Sequence, residues 1–89
     1  MGLELGDLFG LEEVEVVDAQ TTEKDGQKIL VVYGKHNGEE IDAIGFFGEK
    51  AIESALKHGE KRNGKVILKV PAKYITRGQK RVQWINAEF

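Results

Sequence analysis

The sequence predicts a mostly-β domain carrying one helix, in the order β-β-β-α-β-β. Two observations carry that expectation. Glycine-marked turn pairs, Asp25-Gly26, Asn37-Gly38 and Arg77-Gly78, separate runs rich in Val, Ile, Thr and aromatic residues. The hydrophobic period then changes once, to helical spacing, between Glu49 and His58. A chain of 89 residues makes one domain with a modest core, burying roughly 60 to 65% of its unfolded surface.

The first strand is expected over Glu13 to Thr22 and the second over Gln27 to Lys35, joined at Asp25-Gly26. The third runs from Glu40 to Phe47 after Asn37-Gly38. Asp-Gly and Asn-Gly are strong two-residue hairpin signals, because both central positions take positive φ. Ala51, Ile52, Ala55 and Leu56 then form one apolar helical face. Glu49 near the start and Lys57 with His58 near the end complement the helix dipole, and Gly59 is placed to end the helix in a left-handed conformation. Asn63-Gly64 turns the chain into a fourth strand, Lys65 to Thr76, where Pro71 marks an edge or bend. Arg77-Gly78 leads to the fifth strand, Lys80 to Ala87. Residues 1–12, with Leu3, Leu5, Leu8, Phe9 and Leu11, read as an amphipathic N-terminal arm in front of one domain, residues 13–89.

A two-residue turn at Asn37-Gly38 sets a register that puts Ile29, Val31, Tyr33, Ile44 and Phe46 on one face, with the Lys35 and Glu40 pair at its end. That face is assigned outward, and Leu30, Val32, Ile41, Ala43 and Phe47 are assigned to the core. Gly45 fits a corner of the sheet or a close approach by another group. The same exercise on the last hairpin puts Lys65, Ile67, Lys69, Lys73, Lys80, Val82 and Trp84 outward. A slip of one residue there would bury Trp84 instead.

Charge is segregated along the chain. Residues 1–45 hold three cations against eleven anions, whereas residues 46–89 hold ten against four. From Lys61 to Ala87 there are eight basic residues and no acid, with Tyr74 and Trp84 among them. Such asymmetry points to nucleic-acid or membrane contact, to an acidic segment folding over a basic one, or to a solvated charged face.

Other function classes find little support. Without cysteine there is neither a disulfide nor a thiolate site, which fits a reducing, cytoplasmic setting. The longest apolar run, Ile29 to Tyr33, is far short of a membrane span, and the N-terminus lacks the pattern of a secretory signal. His36 and His58 have no metal-ligand spacing, Ser54 sits inside the expected helix, and no phosphate-binding glycine loop is present. The expectation is therefore a non-enzyme with no cofactor, metal, membrane or small-molecule substrate.

Three strands, a helix and two strands within residues 13–89 resemble the OB-fold, a five-stranded Greek-key barrel. The glycine-marked hairpins, the aromatics Tyr33, Phe46 and Trp84, and the basic last strands make the chain similar to single-stranded-DNA-binding OB domains. That resemblance implies a groove over the second and third strands, flanked by the first and last hairpin loops.

The expected function is binding of single-stranded nucleic acid, DNA before RNA. Tyr33, Phe46 and Trp84 would stack on bases. Lys28, Lys35, Lys69 and Lys73 would meet phosphates, together with Arg77, Lys80 and Arg81 around the last turn. The alternatives are a protein-interaction module or homo-oligomer using the outer apolar strip, and a designed barrel without a native ligand.

Overall fold

A computed structural model describes residues 10–89. More than half of these residues are in strands: β1 (Leu11–Lys24), β2 (Gln27–His36), β3 (Glu39–Glu40), β4 (Ile44–Phe47), β5 (Glu60–Arg62), β6 (Lys65–Pro71) and β7 (Gln83–Ile85). The helix α1 (Glu49–Lys57) lies between β4 and β5, and a short 3-10 turn covers Ala72–Tyr74. Hydrogen bonds order the sheet β5-β6-β1-β2-β4-β7, with β3 also paired to β2. All pairs are antiparallel except β4 with β7, so the sheet is mixed, and its ladder stays open rather than closing through five strands.

The turn chemistry explains the hairpins. Asp25 and Gly26 take φ of 54° and 78°, Asn37 and Gly38 take 52° and 80°, and Asn63 and Gly64 take 54° and 79°. These are type I′ turns, whose twist matches that of the flanking strands. The third hairpin is thus made by Asn63-Gly64, which pairs β5 with β6, and not by Arg77-Gly78. Beyond Pro71 the chain leaves the sheet into the 3-10 turn and a loop, so β6 ends five residues before Thr76 and β7 is only three residues long.

The arm boundary also differs from expectation. Leu11 and Glu12 belong to β1 and pair with Pro71 and Val70. Leu3, Leu5, Leu8 and Phe9 lie outside the described residues. The helix closes at His58 with φ −95°, and Gly59 is not left-handed. Gly59 instead makes room for Leu68, whose Cδ2 would stand 3.0 Å from a β-carbon there.

The largest correction concerns register. Near the turn the pairing is as expected, Lys35 with Glu40 and His36 with Glu39. Asp42 and Ala43 then leave β2. The Asp42 amide bonds to the Thr76 carbonyl at 2.9 Å, and the Ala43 carbonyl accepts from the Gln83 amide at 2.8 Å. The extra residue shifts β4 by one, so that Val32 pairs with Ile44, Val31 with Gly45, Leu30 with Phe46 and Ile29 with Phe47. A one-residue slip exchanges the faces of a strand. Ile44 and Phe46 therefore enter the core with Val14, Val32, Leu68, Val70 and Ile85, over which α1 lays Ala51 and Ala55. Phe46 is fully buried, which removes it from any contact surface.

Candidate nucleic-acid interface

The shifted register builds a row across the outer face of the sheet. Val31 on β2, Gly45 on β4 and Trp84 on β7 are consecutive partners. A side chain on Gly45 would overlap the six-membered ring of the indole, so Trp84 lies directly over the glycine backbone. It remains 49% exposed, and Phe47 meets it edge-on, with ring centroids 6.4 Å apart and planes at 82°. Tyr33, 41% exposed, stands two residues along β2 on the same face as Val31. The outward apolar strip is thus Val31, Tyr33, Phe47 and Trp84, with Phe47 in the place expected for Phe46, while Ile29, expected outward, is buried at its floor.

Two shallow depressions open on this strip. One, of about 400 Å³, lies between Trp84, Phe47, Ile29, Asn86 and Lys24. The other, of about 330 Å³, lies between Tyr33, Val82, Lys80 and Arg81.

The loop carrying Lys80 and Arg81 is shaped by one buried carboxylate. Asp42, 9% exposed, accepts the Thr76 hydroxyl at 2.6 Å and the backbone amides of Lys80 at 3.0 Å and Gln79 at 3.1 Å. The Thr76 hydrogen bond, more than any other contact, holds the Asp42 carboxyl below its ordinary range. Burial opposes that shift, and the Lys80 and Gln79 amides and the Arg81 charge add to it. Gly78 and Lys80 both take left-handed φ, 73° and 56°. For a lysine that conformation is sustained by its surroundings, and here the amide bond to Asp42 supplies them.

Of the other cations expected at this surface, Arg77, Lys69 and Lys73 have partners elsewhere. Arg77 donates from Nη2 to Nδ1 of His36 at 2.8 Å and lies 3.3 Å from Glu39 through Nε. Because arginine can only donate, His36 Nδ1 is the acceptor, and its Nε2–H points to Glu12 at 3.0 Å. Lys69 is 3.8 Å from Glu60. Lys73 sits over its neighbour Tyr74, 5.2 Å from the ring centroid. Lys28 stands opposite Glu23 in the strand register on the face away from Trp84, and Lys35 lies in register with acids on both sides, Glu15 and Glu40. Among the described residues, Lys24, Lys80 and Arg81 make no ion pair, nor do Lys28, Lys35 and Lys73.

Of the expected site residues, Tyr33, Lys80, Arg81 and Trp84 come together on one face. Lys28, Lys69, Lys73, Arg77 and Phe46 do not join them, and Lys35 stands at its acidic margin. Phe47, Asp42 and Lys24 are the additions. A lone acid between Ile41 and Ala43 was the available sign of Asp42, since a carboxylate at an apolar site requires local donors.

Ser54 and His58 are occupied structurally. The Ser54 hydroxyl accepts the Phe89 amide at 3.1 Å, and His58 Nε2 lies 3.3 Å from the Phe89 carbonyl oxygen. No group of three or more His, Cys, Asp or Glu suited to a metal occurs among the described residues. No helix among them is long and apolar enough to cross a membrane.

Comparison with protein-family models, curated proteins and solved structures finds no match to this chain.

Proposed function

We propose that this chain is a non-catalytic binder of single-stranded nucleic acid, DNA before RNA, working from the outer face of an OB-like sheet. The observation that carries the reading is Trp84. A half-exposed indole seated on Gly45, at right angles to Phe47, offers a flat stacking surface, with Lys24 lining its own depression and Lys80 and Arg81 lining the neighbouring one beside Tyr33. Stacking tolerates any base, since every base has a π-face, and nearby cations track the backbone. The strand succession supports the OB-like reading. β1, β2 and β4 precede α1, and β6 and β7 follow it, in a sheet that stays partly open.

Base positions would fall on Trp84 and on Tyr33, in the two depressions that flank the Val31–Gly45 row. Lys80 and Arg81 would meet phosphates, with Lys24 at the far lip. Lys69, Lys73 and Arg77 have other partners and leave the site.

The test is fluorescence titration of Trp84, the single tryptophan, with oligo-dT, oligo-rU and duplex DNA. Oligo-dT is expected to quench the emission saturably, oligo-rU more weakly, and duplex least. Absence of quenching by any single strand would defeat the proposal.

A further inference from the structure

A long stretch of strand edge stands open along β1. β1 pairs with β6 only from Leu11 to Glu15, whereas its pairing with β2 continues to Lys24. Among the described residues nothing pairs with the second edge of β1 beyond Glu15. The exposed segment from Asp18 to Lys24 contains no proline, and Ala19 to Thr22 is uncharged. An edge of this kind is a template for another strand.

We propose that this edge pairs with the same edge of a second copy of the chain, antiparallel and centred on Thr21. The two-residue turn makes Lys24 and Gln27 a hydrogen-bonded pair, and alternation then turns the backbone groups of Ala19, Thr21 and Glu23 away from β2. The Ala19 amide agrees, since it bonds to its neighbour's Asp18 carboxylate at 2.9 Å rather than to β2. Centring on Thr21 matches outward groups with outward groups. Thr21 faces Thr21, and Ala19 faces Glu23 of the second copy, twice.

Charge selects the same register. Asp18 and Lys24 share a face of β1, and this alignment sets each Asp18 opposite Lys24 of the second copy. Centring on Glu23 would oppose two glutamates. Centring on Ala19 would oppose Glu15 and Glu23 and run into the segment held by β6. A second copy is therefore the occupant that the charges of the edge itself complement. On the other face, Thr21 borders an apolar groove of about 620 Å³ formed with Leu30, Ile52 and Leu56, and Leu56 is 64% exposed. The second strand would run along the mouth of that groove.

Sedimentation equilibrium of the full chain, from micromolar to millimolar concentration, tests the pairing. The mass is expected to approach twice 9.9 kDa. Asp18→Lys is expected to weaken association at least tenfold, and Asp18→Lys with Lys24→Asp to restore it. Thr21→Pro removes an amide that faces the open edge, so it should give a monomer with unchanged far-ultraviolet dichroism. A one-chain mass at every concentration overturns the proposal, including the case where the Thr21 amide is protected from exchange by the protein's own N-terminal segment. A dimer indifferent to the charge reversal, or one that the double reversal fails to restore, overturns it equally.

Discussion

Trp84 and Gly45 work as a pair, because the indole occupies the space that any side chain at 45 would fill. Gly45→Ala is expected to lift the ring from the sheet, shifting its emission to the red and lowering oligonucleotide affinity while the tryptophan is still present. Trp84→Ala is expected to cost about 1–3 kcal/mol of binding per stacked base, with a thermal midpoint close to that of the parent chain. Neighbouring phenylalanines separate core from surface. Phe46→Ala, emptying a fully buried position, is expected to cost about 3–5 kcal/mol of stability, measured by denaturant titration. Phe47→Ala should cost less stability and more binding, because Phe47 is only half-buried and packs at right angles to the indole.

Among the elements, the loop from Thr76 to Arg81 depends most on one group. The Asp42 carboxyl is held low in the folded protein by Thr76 and the Lys80 and Gln79 amides. Its contribution to stability is therefore complete above the ordinary aspartate value of 3.8 and is lost as pH falls through the lower folded value. Asp42→Asn is expected to shift the Gln79 and Lys80 amide resonances at neutral pH, weaken oligonucleotide binding and flatten the acid limb of the stability profile. An unchanged acid limb would remove Asp42 from this role. The hairpins at Asp25-Gly26 and Asn37-Gly38 were legible because the signal lies within two residues and rests on positive φ. The register of β4 was not, because Asp42 leaves the ladder for Thr76, 34 residues away, and no local pattern contains that partner. Exposure of Trp84 was left open, because the outward register rested on an Arg77-Gly78 hairpin that does not form, and a slip of one residue would have buried the ring. The cation cluster was only partly legible, since side-chain partners such as Glu60 for Lys69 and His36 for Arg77 come from distant strands.

At the scale of the molecule, the segregation of charge is partly consumed within the fold, with Arg62, Lys65, Lys69 and Arg77 paired to acids. The acidic β1 lies against the basic β5–β6 hairpin, where Arg62 makes a bidentate pair with Glu13 at 3.0 Å and Lys65 approaches Glu15 at 3.5 Å. These groups are exposed, with Arg62 and Glu13 each nearly half accessible, and exposed pairs add little to stability. Arg62→Gln is accordingly expected to leave both the thermal midpoint and oligonucleotide affinity nearly unchanged. Arg81→Gln should lower the affinity and reduce its salt dependence. Two or three cations on the Trp84 face, in place of the whole basic stretch, define how strongly salt should act. The most direct test is the affinity for oligo-dT, read from Trp84 quenching, at several salt concentrations. A fall of log affinity with log salt at a slope between about −1.4 and −2.1 is predicted for two to three neutralised phosphates. A slope near zero, or no saturable quenching, would contradict the assignment of this face to nucleic acid.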